Sequence, residues 1–474
     1  MILSASWVFP VTSPYILDGA VLVNKDEIQD FGTTTELVAR YPKEQVREFP
    51  GTALLPGFVN SHSHLELTVL RGYLEDLSFW DWIQRLVETK YEVLNQGEIK
   101  TSAQLGACEA IRAGITTVGD AMDVGASLDA LLASGLRGVL YQEVFSPRAD
   151  EADDRLSSLH KRLVELEHKR WADSRKQENS TSPRAERIIL GVSPHAPYTV
   201  SASLFQKVHG YAASRKLPVC IHVAESEDEN HLLREGTGPM SRALRSRGVE
   251  WVAPGCSPIQ YLQQLGVISQ GTLLIHCVKL GPADISILKS SGVGIAHCPK
   301  SNWKLRHGFM NLRSLIHAGI PIGLGSDSVA SNNTMDLFEE MRFALFNPSW
   351  CSSSQFPTVP GKNERQFSVE QVLHMATLGG AHVLGLSRLI GSIEFGKKAD
   401  LVVVDLSGSH TIPVFSPIAA LVCSARASDV IMTMVGGEIL WENGKLTTLD
   451  EDKLQHKVQP ILEKLNAGST SYSG

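Results

Sequence analysis

Short apolar segments rich in β-branched residues alternate with longer helical patterns from about residue 54 to residue 390. Eight of these segments are predicted to be strands: LLPGFVNSH, GITTVGDAM, GVLYQEVF, RIILGVSPH, PVCIHVAE, TLLIHCV, GVGIAHCP and PIGLGSD. Alternation of this kind indicates a parallel sheet with helical crossovers. Eight strand and helix units over about 300 residues predict an α/β fold with a (β/α)₈ barrel of TIM type, and a doubly wound open sheet is the alternative.

Both ends of the chain have a different pattern. Residues 1–53 alternate apolar and polar positions, with turn signals at Asp18-Gly19 and Phe31-Gly32. The segments GSIEFGKKADLVVVDL and VIMTMVGGEILWENGKL repeat this pattern after about Gly391. Because each end alone has too few strands to bury a face, we predict one small sheet built from both termini.

Composition and charge argue against several classes of protein. Hydrophobic residues make up 43% and charged residues 20%, as in soluble globular proteins, and no apolar stretch approaches the ~20 residues of a transmembrane helix. The net charge of -7, with a pI near 6.2, argues against a nucleic acid or an anionic membrane as partner. The seven cysteines are scattered and form no C-x-x-C pair, which predicts a reduced, cytoplasmic setting. The sequence leaves open whether the protein forms a homo-oligomer.

The first predicted barrel strand ends in two histidines, within the sequence PGFVNSHSHLE at residues 56–66. Residues i and i+2 of a strand project from the same face, so His62 and His64 can direct two imidazoles to one point. Imidazole binds zinc, iron, copper and nickel, so the pair indicates a type of ligand and not one metal. Taken alone, an H-x-H pair is more often a surface or packed feature.

Other predicted strands also end in polar residues. PVCIHVAES contains His222 and Glu225, TLLIHCV contains His276, and PIGLGSDS contains Asp327. Each residue alone has a structural explanation, such as a hydrogen-bonded core histidine or a helix N-cap. In a (β/α)₈ barrel, however, the carboxyl ends of all strands meet at one rim. The shared rim predicts a metal-centred site.

The order HSH, HVAE, IHCV and GSDS resembles the amidohydrolase superfamily, and in particular its aminohydrolases and chlorohydrolases acting on nitrogen heterocycles. The similarity covers almost the whole chain. The stretches LRGYLEDLSFWDW, SPHAPYTVS and HCPKSNWKL resemble those of S-adenosylhomocysteine and methylthioadenosine deaminases. The resemblance implies a composite β-sandwich from residues 1–53 and 391–450, a metal-dependent barrel at 54–390, and a C-terminal helix and tail at 451–474.

The resemblance also implies roles for individual residues. It implies metal ligation by His62, His64, His222 and Asp327. Glu225 is then the acid and base that serves a ring nitrogen, and His276 orients the water and stabilises the tetrahedral intermediate. Asp327 also passes the proton of the water to the leaving amine. Because the fourth strand supplies no lysine or glutamate that could bridge two ions, we expect one divalent metal, with zinc favoured and iron open.

Three further residues are candidates for substrate contact. His195 resembles a substrate-contacting histidine of the deaminases, and its alternative role is to cap the turn before Pro197. Glu66 either faces the pocket or forms a structural pair with Arg71. Trp82 either lines the pocket entrance, together with Trp80, or packs the first helix, which its helical spacing favours.

Hydrolysis of a C–N bond other than a peptide bond is the implied activity, acting on a small heterocyclic molecule. We expect deamination of an aminated purine-type nucleoside, such as S-adenosylhomocysteine, methylthioadenosine or aminofutalosine, because Glu225 provides the acid that protonates the ring. HLEL, LREGTGP and LGSDSVASN look more like aminofutalosine deaminases. A chlorohydrolase or another cyclic-amidine hydrolase is the alternative, and a noncatalytic scaffold is a remote one.

Overall fold

The computed structural model describes residues 1–174, 184–350 and 367–469, so the predicted tail after residue 469 lies outside the described residues. Sixteen strands lie in the described part of the chain: β1 (Ile2–Val8), β2 (Ile16–Asn24), β3 (Glu27–Thr33), β4 (Val46–Pro56), β5 (Phe58–Ser63), β6 (Ile115–Met122), β7 (Arg137–Val144), β8 (Ile188–Pro194), β9 (Val219–Val223), β10 (Thr272–His276), β11 (Gly294–His297), β12 (Ile322–Leu324), β13 (Leu401–Asp405), β14 (Val430–Val435), β15 (Glu438–Glu442) and β16 (Lys445–Leu446). They form two sheets of eight strands each.

The central sheet is a parallel barrel of β5 to β12 in sequence order. All eight predicted barrel strands are present, and the (β/α)₈ prediction is confirmed. The ring closes between its first and last strands, where Ser63 pairs with Asp327 and the Asp327 amide donates to the His62 carbonyl at 2.9 Å. Almost every residue of these strands is buried, as expected for a parallel sheet covered by helices. Closure therefore brings residues of strand one beside the end of strand eight.

The second sheet combines both ends of the chain, in the order β16-β15-β14-β13-β4-β1-β2-β3. Strand β4 joins the two halves, because it pairs in parallel with β1 and antiparallel with β13. The prediction of one sheet from both termini is confirmed. A buried ion pair ties this sheet to the barrel, with Arg137 Nε donating to Asp400 Oδ2 at 2.7 Å and Arg137 Nη2 to Oδ1 at 3.0 Å.

The junction between the two sheets corrects one detail of the sequence analysis. The segment LLPGFVNSH was predicted to be a single strand, but β4 ends at Pro56 in the terminal sheet and β5 begins at Phe58 in the barrel. Gly57 separates them, and a Cβ at this position would lie 2.0 Å from Thr116 Cγ2. Only glycine therefore allows the backbone to pass so close to β6. Hydrophobicity alone does not reveal this change of sheet.

Helices cover the barrel and follow its strands. The α-helices in the described residues are α1 (Thr34–Arg40), α2 (Phe79–Glu88), α3 (Gln96–Arg112), α4 (Ala126–Ser134), α5 (Ala152–Ser174), α6 (Ala202–Arg215), α7 (Glu227–Glu235), α8 (Gly238–Ser246), α9 (Pro258–Gln264), α10 (Pro282–Ser291), α11 (Pro299–Lys304), α12 (Leu312–His317), α13 (Val329–Asn332), α14 (Leu337–Leu345), α15 (Val369–His374), α16 (Gly380–Val383), α17 (Pro417–Ala419) and α18 (Glu451–Ser469). Short 3-10 or π turns lie at Leu65–Leu70, Thr89–Val93, Ala149–Glu151, Arg184–Arg187, Pro348–Trp350, Met375–Gly379, Ala420–Ser424 and Ala427–Asp429. Among the described helices, none combines the length and apolar character needed to cross a membrane.

Candidate metal centre and active-site pocket

Strand β5 and the end of the barrel hold the two histidines of the H-x-H pair against one aspartate. His62 lies within β5 and His64 directly follows it. Their Nε2 atoms lie 3.3 Å and 3.5 Å from Asp327 Oδ1, respectively. The rings meet edge to face, with centroids 4.8 Å apart. The predicted convergence of the two imidazoles is therefore present, and it is centred on the carboxylate from the far end of the barrel.

Two more imidazoles complete the cluster. The ring of His222, on β9, lies 4.9 Å from that of His62, and the ring of His276, on β10, lies 5.6 Å from that of His222. The possible metal-donor atoms of His62, His222 and His276 all lie within 4.8 Å of one another, as do those of His62, His64 and Asp327. The structure thus brings the histidines and the aspartate of the sequence analysis to one place.

Unpaired buried nitrogens show that this donor set suits a divalent metal ion. His222 Nδ1 is buried and has no hydrogen-bond partner among the described residues, and the buried His62 Nε2 makes no hydrogen bond although it lies 3.3 Å from Asp327 Oδ1. A buried polar atom without a partner is costly, and a metal ion would remove that cost here. Imidazole nitrogens together with one carboxylate are the ligands that zinc and related divalent metals prefer. The cluster therefore fits such an ion.

The electrostatics of the cluster favour neutral imidazoles and an ionised aspartate. Burial lowers the pKa of His62, and burial together with neighbouring imidazoles holds the pKa values of His64 and His222 well below the usual range. Burial alone would raise the pKa of Asp327, but contact with His62 and the proximity of His276 hold that pKa well below its usual value. Neutral imidazole and ionised carboxylate are the forms that bind metal.

Two serines fix the orientation of Asp327. Ser301 Oγ and Ser331 Oγ donate to its Oδ2 at 2.6 Å and 2.8 Å, so Oδ1 is the oxygen that faces His62 and His64. Ser301 lies in the HCPKSNW stretch, and the sequence analysis did not identify it as a site residue. Because both hydroxyl groups donate to Oδ2, the carboxylate cannot rotate freely, and the lone pairs of Oδ1 point in one fixed direction.

Several strand ends at the cluster have left-handed backbone conformations. Ala224, His276, Cys277 and Asp327 have φ values of 52°, 73°, 49° and 59°. The left-handed conformation costs a residue other than glycine about 1 kcal/mol or more of conformational energy. Residues strained in this way concentrate at functional sites. These residues redirect the chain at the end of β9 and β10 and three residues beyond β12. This redirection aims Glu225, His276 and Asp327 at the same space.

Glu225 lies between two histidines at the wall of the pocket. Its Oε1 is 3.5 Å from His276 Nε2 and 3.3 Å from His307 Nε2. Burial raises the pKa of Glu225, but His276 and His307 outweigh burial and the pKa is lowered. Glu229 Oε2 also accepts the backbone N–H of Glu225 at 2.9 Å. His307, in the loop after α11, was missed by the sequence analysis because a loop histidine has no strand period to mark it.

The tautomer of His276 follows from one hydrogen bond. Its Nδ1 lies 2.9 Å from Asn302 Oδ1. An amide oxygen only accepts, so Nδ1 carries the proton and Nε2 faces Glu225 with its lone pair. Asn302, in the HCPKSNWKL stretch, thus contacts a residue of the cluster. The His276 and Glu225 side chains can therefore share one proton between them.

A cavity of about 560 Å³ opens beside the cluster. Its wall contains His64, His222, Glu225, His276 and Asp327 together with the predicted contact residues His195 and Trp82. Trp82 also packs in the hydrophobic core and is 8% exposed, so it both lines the pocket and packs its helix. Trp80 is another wall residue. Burial lowers the pKa of His195 to about 4, which keeps this imidazole neutral at pH 7.

Glu66 occupies a different place from the one predicted. Its carboxylate is 1% exposed and accepts the backbone N–H groups of Asp123, Val124 and Ala126 at 3.1, 3.0 and 2.7 Å. It does not belong to the described pocket wall. The alternative pairing with Arg71 is wrong, because Arg71 pairs with Glu109. Three backbone N–H donors hold Glu66 beneath the turn after β6, where its carboxylate supports the turn.

Two buried charged residues of the wall, Glu143 and Lys90, were missed by the sequence analysis. Glu143, near the end of β7, lies in the wall and is 8% exposed, and burial raises its pKa to about 8. Lys90 is 9% exposed, with its Nζ 3.5 Å from Asp123 Oδ2 and 3.9 Å from Glu66 Oε2. A glutamate at the end of the third predicted strand was a detectable signal. No such signal marks Lys90 in the sequence, because its π-helical turn continues directly from α2 without a change in the pattern of apolar and polar residues.

Comparison with known proteins agrees with this geometry. Residues 53–440 match the family model described as "Amidohydrolase family". The chain is 30% identical over 447 residues to a 5-methylthioadenosine/S-adenosylhomocysteine deaminase of Syntrophobacter fumaroxidans, covering 94% of this chain and 92% of the relative. It is 32% identical over 458 residues to a 5'-deoxyadenosine deaminase of Methanobrevibacter smithii, covering 96% and 95%.

A solved structure has the same architecture over nearly all of its length. It is an adenosine deaminase from Xanthomonas campestris with bound zinc, which superposes with a TM-score of 0.79 at 26% identity and covers 98% of each chain. The family match covers most of the chain. It agrees with the barrel, the sheet from both termini and the His/Asp cluster described above. This chain belongs to the amidohydrolase family.

Proposed function

We propose that this protein is a hydrolytic deaminase of an adenosine-type nucleoside, working with one divalent metal ion held by His62, His64, His222 and Asp327. The observation that carries the proposal is the position of Glu225, whose carboxylate lies at the pocket wall between His276 and His307 and beside the cluster. A deaminase must bring a proton donor to a ring nitrogen next to its water-activating centre. Glu225 is the residue in that position.

The choice of metal rests on the donor set. Three neutral imidazoles and one carboxylate leave a divalent ion with positive charge, and we propose zinc as that ion, as in the zinc-bound adenosine deaminase of similar fold. When bound, the metal supplies Lewis acidity that lowers the pKa of water to about 7. The absence of a lysine or glutamate at the end of β8, which reads IILGVSP, supports one ion and not two.

Proton transfer to the substrate is the proposed task of Glu225. Protonation of a ring nitrogen next to the amine-bearing carbon makes that carbon electrophilic. Glu225, ionised at first because its pKa is lowered, takes one proton from the attacking water and delivers it to that nitrogen. His276, with Nδ1–H donated to Asn302, directs Nε2 toward the same carboxyl. In the protonated state, His276 would stabilise the negative charge that develops on the attacking oxygen.

Asp327 is the proposed second proton carrier. Its Oδ2 is held by Ser301 and Ser331, so Oδ1 alone is available to receive the second proton of the attacking water, the one that Glu225 does not take. As the C–O bond forms and the exocyclic C–N bond breaks, Asp327 passes that proton to the departing nitrogen, which leaves as ammonia. Water supplies the oxygen of the product, so the reaction needs no other reactant.

The pocket supports a substrate the size of a nucleoside. Its walls are mostly apolar and aromatic, with Phe79, Trp80, Trp82, Phe145 and Tyr198 among the described residues. A cavity of about 560 Å³ that combines apolar walls with converging polar side chains is of the kind that binds small heterocyclic ligands. The names of the two relatives, a methylthioadenosine/S-adenosylhomocysteine deaminase and a deoxyadenosine deaminase, support adenosine-type substrates.

An ammonia-release assay tests this proposal. The purified protein, loaded with zinc, is given adenosine, 5'-deoxyadenosine, methylthioadenosine, S-adenosylhomocysteine and aminofutalosine, with a chlorinated triazine as the contrasting substrate. We expect ammonia from at least one adenosine-type compound and no chloride from the triazine. Chloride release without ammonia release would show that the protein is a chlorohydrolase and not a deaminase. If no substrate reacts and metal analysis finds no bound ion, the noncatalytic scaffold is correct.

A further inference from the structure

Glu340, on α14, is a buried carboxyl to which the proposed reaction gives no task. Its side chain is 0% exposed, and it does not belong to the described pocket wall. Burial raises its pKa to about 8, because the interior disfavours the charged form of a carboxyl group. The ammonium group of Lys300 pairs with the neighbouring Glu339. Uncharged donors, from a side-chain amide and a backbone N–H, therefore hold the two oxygens of Glu340.

The first oxygen of Glu340 supports the loop that follows the last barrel strand. Asn332 Nδ2 donates to Glu340 Oε1 and to the Ser326 carbonyl, both at 2.6 Å. The N–H of Ser326 donates to Asn60 Oδ1 at 3.0 Å. Side chains thus hold both polar groups of the Ser326 backbone, and the next residue is Asp327, with its left-handed φ of 59°. The chain segment from which Asp327 extends is therefore fixed from two sides.

The second oxygen of Glu340 supports the start of α11. Its Oε2 accepts the backbone N–H of Lys300 at 3.2 Å. The helix begins at Pro299, which has no N–H, so Lys300 belongs to the first turn, where the N–H groups lack partners within the helix. Glu340 therefore supplies an acceptor that α11 itself does not provide, and it fixes the beginning of this helix against α14.

The two residues that follow Lys300 in α11 both contact the metal cluster. Ser301 Oγ donates to Asp327 Oδ2 at 2.6 Å. Asn302 Oδ1 lies 2.9 Å from His276 Nδ1. Adjacent residues of one helix turn thus contact the proposed second proton carrier and the histidine proposed to stabilise charge on the attacking oxygen. A shift at the start of α11 would therefore move both groups.

We propose that Glu340 is a positioning residue that fixes Asp327 and His276 in the geometry that the reaction needs. It acts on Asp327 through Asn332 and the Ser326 carbonyl, and it acts on both residues through α11. Because Glu340 is outside the described pocket wall, its effect passes through these hydrogen bonds and not through contact with the substrate. The inference rests on the proposed function, which gives Asp327 and His276 their roles. Replacement of residues that support metal ligands typically lowers metal affinity or activity by about tenfold to a hundredfold.

Two substitutions of Glu340 and one control in the same helix test the positioning role. Glu340→Leu removes both acceptor oxygens, whereas Glu340→Gln keeps one of them and decides the test if the leucine variant does not fold. Asp336→Ala removes the N-cap of α14, whose Oδ1 accepts the N–H groups of Phe338 and Glu339. This control loosens the same helix and leaves the carboxyl of Glu340 in place.

Three measurements at pH 7 report the geometry of the cluster in wild type and in the three variants. The first is the zinc dissociation constant, from competition with a chromophoric chelator. The second is the visible absorption spectrum of the cobalt-substituted protein, which responds to the arrangement of the ligands and needs no turnover. The third is kcat and KM for ammonia release at saturating zinc, with an adenosine-type compound that wild type deaminates.

In Glu340→Leu we expect zinc to bind about tenfold to a hundredfold more weakly and kcat at saturating zinc to fall by a similar factor. KM should stay near that of wild type, and the cobalt spectrum should change. Glu340→Gln should show the same changes to a smaller degree. Asp336→Ala should melt at a lower temperature but keep the zinc affinity, spectrum and kcat of wild type.

Two results would overturn the positioning role. One is a folded Glu340 variant with the zinc affinity, cobalt spectrum and kcat of wild type. The other is a set of changes of equal size in Asp336→Ala, because the effect would then come from loosening of α14 and not from the two hydrogen bonds of the carboxyl group.

The metal measurements separate failure of the positioning role from failure of the proposed function. If wild type releases no ammonia from any adenosine-type compound, the proposed function fails, but the zinc dissociation constant and the cobalt spectrum still report the position of Asp327. Weaker zinc binding and an altered spectrum in Glu340→Leu would then support the positioning role, and unchanged values would overturn it. A wild-type protein that binds no zinc would overturn both.

Discussion

His307 Nε2 lies 3.3 Å from Glu225 Oε1 and approaches it from a loop that no barrel strand precedes directly. The imidazole is 4% exposed and packs edge to face on Phe79, with ring centroids 4.4 Å apart. Because Oε1 also lies 3.5 Å from His276 Nε2, two imidazoles lie against one carboxylate oxygen. His307 is thus placed to orient Glu225 without belonging to the described pocket wall.

Replacement of His307 by leucine should lower kcat by about tenfold to a hundredfold, because displacement of a proton-transferring group by a fraction of an ångström has effects of this size. KM and zinc content should stay near wild type. The acidic limb of the pH-rate profile should move to higher pH, because His276 and His307 lower the pKa of Glu225 and one of them is lost. His307→Gln should retain more activity. An unshifted profile would mean that His307 is only a packing residue.

Glu225→Gln and His222→Ala should differ in metal content although both lose turnover. The glutamine cannot exchange the proton, so kcat should fall by about a hundredfold or more with zinc retained. His222→Ala removes a proposed ligand, so zinc and turnover should be lost together. Metal analysis of the two purified variants, beside wild type, gives the comparison. Equal metal loss in both would contradict the proposed division of roles.

Glu66→Ala should destabilise the fold more than it changes substrate recognition. It leaves the N–H groups of Asp123, Val124 and Ala126 without their acceptor, and it leaves Lys90 with one carboxylate fewer. We expect a loss of about 3 kcal/mol in the free energy of unfolding. Chemical denaturation measures it, with Glu66→Gln, which keeps one acceptor oxygen, as the milder control. Full stability combined with altered substrate preference would restore the pocket role.

Glu340→Gln should have a stability difference from wild type that changes with pH. Burial raises the folded-state pKa of Glu340 from 4.5 to about 8. Wild type therefore loses this stability as the pH rises from about 4.5 through about 8, by at most about 1.4 kcal/mol per pH unit. At pH 5 wild type should be the more stable, because its second oxygen accepts the Lys300 N–H at 3.2 Å.

Towards pH 8 the stability of Glu340→Gln should rise relative to that of wild type, because the buried amide stays uncharged while the buried carboxyl of wild type ionises. The melting temperatures of both proteins at pH 5, 6.5 and 8 give the test. A difference in melting temperature that stays constant over this range would contradict the raised pKa of Glu340. Phe346→Ala, at a residue that is 72% exposed, provides a variant whose difference from wild type should not follow pH.

Much of the fold follows from local pattern. All eight predicted barrel strands are present, because β-branched runs separated by helical periods leave a parallel sheet few alternatives. The residues at strand ends, such as His62 and Asp327, converge for the same reason. The pattern did not reveal that β4 and β5 belong to different sheets. That division depends on the contact of Gly57 with Thr116, 59 positions apart in the sequence.

The amino-acid sequence by itself determined the barrel, the sheet shared by both termini and the set of histidines and acids at the rim. Periodicity and strand order are local properties, so they can be read along the chain. Only the tertiary structure decided that Glu66 lies beneath a turn, that His307 reaches Glu225, and that Glu143 faces His195. These relationships depend on which loops and side chains pack together across the barrel, and no local period encodes such long-range contacts.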